Sequence, residues 1–334
     1  MNLLKYDFNL PKDQIANRPK KPRGSSKLLV VEKKTGKITS TTFDKIVDYF
    51  SPKDLFIFNN TKVAPLSLIL KDDKDKERKI LLVEELEKDI WKVLTKRPQP
   101  QNFNLSNGLS CKLYKNHEDN NWLIKFNQDS QLFIDKYGMM PIPPYLNREA
   151  DAADFIDYQT IYAKVPGSIA APTAGLHFNQ SILSKIKEKE IDTKFLTLHV
   201  GMGTFIPIKV KEVEKHKMHK EKFFIESDLI KNINDVRSAG GRTLSVGTTT
   251  LRALEGSNLY GKKYDQWFET DIFITEGFDF ALTDSLLTNF HLPKSTLLVL
   301  ISSFLGYELT KLSYEFAIKE KFNFYSYGDA MLII

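Results

Sequence analysis

Apolar and polar positions change rhythm along this chain, and each rhythm predicts an element. Lys27-Leu-Leu-Val-Val31 and Lys37-Ile-Thr-Ser-Thr-Thr42 flank a turn containing Gly36, a β-hairpin pattern. Phe43, Ile46, Val47 and Phe50 have helical spacing, and Asp54–Phe58 reads as a buried strand running into polar Asn59, Asn60 and Thr61. Short strand-like runs then follow at 79–83, 90–94, 109–114 and 122–126, separated by turn-rich segments. Beyond residue 141 the texture changes. Helices are expected over 179–190, 227–239 and 295–305, with a further one opening at Thr248. Ser227 is the expected N-cap of the second and Gly240-Gly241 its stop. Strands are expected over 193–200, 243–247, 271–275 and 330–334.

The fold class expected is α/β. A mixed-sheet main domain, 1–70 with 141–334, is interrupted by a small all-β, barrel-like domain, 71–140. A length of 334 residues accommodates two domains. At 42% hydrophobic and 27% charged residues, the composition is that of an ordinary globular protein. Leu297–Ile301 is too short to cross a bilayer, and Cys111 is alone, so no internal disulfide forms. No basic region followed by an apolar block opens the chain, which makes the cytoplasm the expected location, without a membrane partner. The net charge of +6 favours an anionic partner.

Candidate chemistry concentrates where turns deliver polar groups. Pro166-Gly167 and Pro172 bar a regular helix or central strand from Ala163–Phe178. That segment delivers His177 just before Asn179, a good N-cap. Five of the six His residues follow residue 176, and imidazole titrates near neutral pH. His177, His199, His219, Arg252, Asp271, His291 and Asp329 all fall at predicted element ends. Each can equally be a satisfied cap or core residue. Gly201-Met-Gly203 lacks the third glycine of a dinucleotide loop, Ile206 standing in its place. Gly256–Lys262 follows a helix rather than a strand, with Lys263 where a phosphate loop needs Ser or Thr. His216 and His219 have no evident third ligand, so no metal is expected. Basic residues gather at Arg18–Arg23 and at Lys209, Lys211, Lys215, Lys217, Lys220 and Lys222, a pattern of solvated faces or of phosphate contacts.

At these same residues the chain resembles the S-adenosylmethionine:tRNA ribosyltransferase-isomerase family of queuosine biosynthesis. The resemblance runs through Arg23-Gly-Ser-Ser-Lys-Leu-Leu29, Phe58-Asn-Asn-Thr-Lys-Val63 and Ala170-Ala-Pro-Thr-Ala-Gly-Leu-His-Phe178. It continues in Leu196–Phe205, His216–Glu221, Gly247-Thr-Thr-Thr-Leu-Arg252, Thr288–Thr296 and Tyr325–Met331. It implies that S-adenosylmethionine is consumed as a co-substrate, with no retained cofactor. The ribosyl moiety passes to 7-aminomethyl-7-deazaguanine at the tRNA wobble position, giving epoxyqueuosine, adenine and methionine. On that resemblance His177, His199, His219 and Asp271 are the catalytic candidates. Asn60, Thr61, Thr173, Gly175, Gly201, Gly203, Arg252, Asn289, His291, Tyr327 and Asp329 are the substrate-binding candidates. Arg18, Arg23 and Lys27 are expected on tRNA phosphates, and a monomer is expected. The competing readings are an S-adenosylmethionine-dependent RNA methyltransferase and a non-catalytic tRNA-binding protein.

Overall fold

The computed structural model describes residues 2–105, 108–201, 212–261 and 263–334. The chain separates into two compact units, 1–62 with 144–148 and 159–334, and 63–143 with 149–158. The larger unit opens with the expected hairpin, β1 (Lys27–Val31) against β2 (Ile38–Thr42), antiparallel. Phe43–Tyr49 is helical but wound as 3-10, and it buries Phe43, Ile46 and Val47. Strand β3 (Leu55–Asn59) is buried at every position, as the unbroken apolar run requires, and short β4 (Thr61–Val63) leaves it.

The smaller unit is a seven-stranded antiparallel sheet. Its strands are β5 (Ser67–Lys71), β6 (Glu77–Glu87), β7 (Ile90–Thr95), β8 (Gln101–Asn104), β9 (Ser110–Lys115), β10 (Trp122–Phe126) and β11 (Gly138–Met139). Their spatial order is β11-β5-β6-β7-β10-β9-β8. The expected barrel does not close among the described residues: β11 and β8 are edges, so the curled sheet is a half-barrel. Two register shifts in β6 interrupt its ladder with β7. Helix α1 (Ser130–Tyr137), absent from the sequence expectation, packs Phe133 on Phe126 at 4.5 Å between ring centroids. A one-turn helix, α2 (Asp154–Asp157), also belongs to this unit.

The remaining elements complete the larger unit. They are β12 (Val165–Ser168), α3 (Gln180–Glu188), β13 (Asp192–Leu198), β14 (Glu221–Phe224) and α4 (Ser227–Ser238). After them come β15 (Thr243–Val246), α5 (Thr248–Leu259), β16 (Trp267–Thr270), β17 (Ser285–Asn289), α6 (Thr296–Leu305), α7 (Tyr307–Lys319) and β18 (Ala330–Ile333). Nine strands form a mixed sheet in the order β16-β14-β13-β3-β15-β17-β18-β1-β2. Its two faces carry separate apolar clusters. One gathers around Phe43, Phe58, Phe178 and Val246, the other around Leu55, Ile57, Leu198, Phe223 and Leu254. The architecture is mixed α/β.

Two local expectations are corrected. Residues 271–275 form no strand, although Ile272 and Ile274 are buried. There the alternation reflects burial without pairing, because Ile272 N–H goes to Thr270 Oγ1. Ser227 does not cap α4: Glu226 holds that position, and Ser227 N–H donates to Asp265 at 2.9 Å. Helix α6 opens where expected, Ser295 capping it through Leu298 N–H.

Candidate active site

Strand direction gathers the candidates. Strands β13, β3, β15 and β17 run parallel, so Leu198, Asn59, Val246 and Asn289 end on one edge of the sheet. β18 runs antiparallel to β17 and parallel to β1, so both start at that edge, beside Asp329 and Ser26. The carboxyl ends of parallel strands, with a direction change beside them, are a usual ligand position in open α/β sheets. The turn-rich segment 165–178 lies across this edge. Its Ile169 N–H bonds Val200 O at 3.1 Å, Thr173 Oγ1 donates to Asn289 Oδ1 at 2.9 Å, and it ends at His177.

His177 is buried and held at both ring nitrogens. Ser26 Oγ lies 2.8 Å from Nδ1, and Asn289 Nδ2 lies 3.1 Å from Nε2. Phe43 stacks on the ring at 4.9 Å. With the amide placed so that Oδ1 accepts from Thr173, Nε2 is the acceptor and Nδ1 carries the proton to Ser26. Burial, helped by the nearby Arg23 guanidinium, pushes the imidazole down to about 4. His177 is therefore neutral at pH 7. The adjoining cleft is lined by Lys20, Arg23, Ser26, His177, Ser326 and Tyr327, among others.

His199 is half-buried at the end of β13. Thr61 Oγ1 lies 2.8 Å from its Nδ1, and Trp267 stacks on the ring at 4.9 Å and 18°. Its Nε2 has no hydrogen-bond partner among the described residues and faces Gly167, where an added Cβ would stand 2.8 Å away. Gly167 also has φ +136°, so glycine is required there twice over. Desolvation, then the Lys222 charge, lowers the His199 pKa, again favouring the neutral ring.

The other predicted residues divide. Asn60 Oδ1 accepts from Thr197 Oγ1 at 2.7 Å, and its carbonyl receives Lys164 N–H. Tyr327 is buried in the wall of the His177 cleft. Arg252 forms a buried ion pair with Glu221, whose other oxygen accepts Gly201 N–H at 3.1 Å. His291 Nε2 meets Thr288 Oγ1 at 2.9 Å, and desolvation pushes its pKa down to about 3. Gly203 lies outside the described residues.

Some of these placements change the expected role. Asp329 gives both carboxylate oxygens to backbone N–H groups, of Lys27 and Asn323, each at 2.7 Å, so it clamps the start of β1 to the 323–329 turn. Lys27 Nζ caps the carbonyls of Glu320 and Lys321 after α7, at 2.6 and 3.1 Å, which commits the ammonium expected on phosphate. Gly175 makes room for the Tyr162 hydroxyl, 2.0 Å from where its Cβ would stand. Arg18 is exposed, and Arg23 Nη1 bonds Gln159 O at 2.9 Å. His219 is exposed without a hydrogen bond to the described residues, and exposed Asp271 accepts from Tyr260 Oη at 2.7 Å. Neither is bonded to the groups around His177 and His199.

Sequence reasoning missed Ser26, Glu221 and Trp267. Ser26 lay within the Arg23–Leu29 motif, but only the sheet order brings it to His177. Trp267 gave no local signal. Chemically, the edge offers two neutral imidazoles, one locked at both nitrogens and one with a nitrogen unengaged. No group of three His, Cys, Asp or Glu able to hold a metal occurs among the described residues.

The profile of a family described as "Queuosine biosynthesis protein" matches residues 3–333. The chain is similar, at 40% identity over the full length of both proteins, to the S-adenosylmethionine:tRNA ribosyltransferase-isomerase of Trichlorobacter lovleyi. The protein of that name from Thermotoga petrophila is 41% identical, again over both full lengths. The fold is similar to the crystal structure of S-adenosylmethionine tRNA ribosyltransferase from Thermotoga maritima. The TM-score is 0.57 and the identity 31%, covering 99% of this chain and 100% of that one.

Proposed function

The chain belongs to the queuosine biosynthesis protein family, and on that premise we propose that it is an S-adenosylmethionine:tRNA ribosyltransferase-isomerase. It transfers and isomerises the ribosyl moiety of S-adenosylmethionine onto 7-aminomethyl-7-deazaguanine at the tRNA wobble position. Epoxyqueuosine-tRNA, adenine and methionine are the products. The single observation that carries this reading is the shared strand edge, where two neutral imidazoles are held by hydroxyl groups beneath one crossing segment.

The reaction makes separable demands on such a site. The sulfonium acidifies the neighbouring 5′ carbon, so a base must take its proton. His199 suits that role: Thr61 fixes one nitrogen, the other is unengaged, and the ring is neutral. His177, bonded to Ser26 and Asn289, holds those two polar groups in place at the strand edge without changing charge. Thr173, Asn60, Asn289 and Tyr327 contribute polar contacts around it. A positioned proton-transfer group of this kind supplies ~10²–10⁴-fold in rate. Arg18 and Arg23 contact phosphate, S-adenosylmethionine is consumed rather than retained, and the smaller unit serves as an inserted domain. The protein acts as a cytoplasmic monomer. No helix among the described residues is long and apolar enough to cross a membrane.

Incubation with S-adenosylmethionine and tRNA carrying 7-aminomethyl-7-deazaguanine tests the reading. Release of adenine and methionine supports it. S-adenosylhomocysteine would make the protein a methyltransferase, and no turnover would leave an RNA-binding protein.

A further inference from the structure

One face of the sheet's far end carries aromatic rings in the open. Register pairs Thr197 with Phe224 and Phe224 with Trp267. Side chains alternate between faces along a strand, so Phe195, His199, Phe224 and Trp267 share a face. The opposite face is the buried one, with Leu196, Leu198 and Phe223. Yet Phe195 is 43% exposed and Trp267 47%. These rings are not loose. Trp267 is stacked on His199 and lies 5.7 Å from Phe224, while Phe195 stacks on Phe58 at 5.7 Å.

Charge complementarity selects the partner. Exposed Lys222, paired in register with Glu269, lies on the same face as the rings, and exposed Lys220 immediately precedes the strand. Lys220 contacts Glu269 at 3.1 Å, so two lysines and one carboxylate stand beside the rings, within a chain of net charge +6. An apolar partner would draw these ammonium groups out of water without return, and a duplex backbone would not use the rings. Rigid exposed aromatics beside lysines suit unpaired nucleotides, whose bases stack while their phosphates meet the cations.

We propose that the face formed by Phe195, Phe224 and Trp267 is a stacking platform for unpaired bases of the substrate RNA, those flanking the reacting base. This rests on the tRNA-modifying reading above. It also assigns Trp267 a second duty. A base on its outer side would lie one ring away from His199, so the platform would set the reach of the RNA into the strand edge.

The test uses the full chain with Trp267→Leu and Phe195→Leu, which keep apolar bulk. The probes are a synthetic RNA hairpin with an unpaired loop and a blunt duplex of the same stem, in fixed salt. Each variant should bind the hairpin about ten-fold more weakly, the scale of one lost base stack, with duplex affinity and melting temperature unchanged, and Phe195→Leu should leave KM for S-adenosylmethionine unchanged as well. Unchanged hairpin affinity, or an equal loss for hairpin and duplex, overturns the proposal. Should Trp267→Leu not fold, a chain with Trp91→Phe and Trp122→Phe leaves Trp267 as the fluorophore. Quenching by the hairpin but not the duplex then supports the platform, and no quenching overturns it. Adenine release separates the two readings. Hairpin binding through these rings without turnover keeps the platform and removes the enzyme, whereas turnover with variant affinities unchanged removes the platform alone.

Discussion

Ser26 Oγ and His177 Nδ1 lie 2.8 Å apart although 151 positions separate them in the chain. One residue precedes the first strand of the hairpin and the other ends the crossing segment. Removing the hydroxyl leaves a buried imidazole nitrogen unpaired, which costs about 1–3 kcal/mol. Ser26→Ala should lower the melting temperature and, by freeing the ring to tilt, reduce kcat of the order of ten-fold. Thermal unfolding and steady-state adenine release check both parts.

Acid should destabilise the fold through the same ring. His177 titrates at about 4 when folded and at 6.5 when free, so the unfolded chain takes up the proton first. Its contribution is complete above pH 6.5 and is lost as pH falls toward 4. The difference corresponds to about 3 kcal/mol. His291, pushed down to about 3, acts in the same direction. Urea midpoints measured from pH 7 to pH 4 should fall less steeply for His177→Gln than for wild type. Parallel curves would show that His177 is not the group responsible.

His199→Gln should lower kcat by ~10²–10⁴-fold while leaving tRNA affinity nearly intact. Because the folded His199 pKa lies below its ordinary 6.5, the active neutral form prevails at pH 7. Rate should therefore fall with decreasing pH only on the acid side of 6.5, and that limb should vanish in His199→Gln. Thr61→Val should reduce kcat, and Thr61→Ser should restore it. A pH–rate profile identical to wild type in His199→Gln would remove His199 as the base.

Gly175→Ala drives a methyl into the Tyr162 hydroxyl, 2.0 Å from the built Cβ. Such overpacking costs about 1–3 kcal/mol. Tyr162 Oη is buried without a hydrogen-bond partner among the described residues, so Tyr162→Phe alone should be neutral or stabilising. In the double variant it should recover part of the loss. Differential scanning calorimetry of the four proteins reads this coupling, and additive losses would contradict the contact.

Glu221→Ala should be among the most destabilising single changes. It strands the buried Arg252 guanidinium, whose Nη2 already lacks a partner among the described residues, and a broken buried pair costs about 3–5 kcal/mol. It also releases Gly201 N–H. Denaturant unfolding measures the loss, and a change below about 1 kcal/mol would mean that the pair is solvated in solution.

Local chemistry made part of this structure legible. The hairpin follows from two β-prone runs on either side of Gly36, and the start of α3 from Asn179, whose side chain accepts Ile182 N–H at 2.9 Å. His177 and His199 stood out because turns and strand ends are where polar groups reach a site. What stayed hidden depends on pairing between distant segments. Nothing near Asp329 says that its oxygens will meet Lys27 and Asn323, and nothing near Trp267 says that it will cover His199. Helix α7 was missed although it runs thirteen residues, because half-buried positions blur its apolar stripe. The 271–275 stretch misled in the opposite sense, its alternation serving burial alone.

The parallel pairing of β1 with β18 sets an order for biogenesis. Until residue 333 has left the ribosome, β1 has only its hairpin mate, and Ser26 cannot be drawn in beside Asn289. A nascent chain must therefore wait for β18 before the strand edge that holds His177 is assembled.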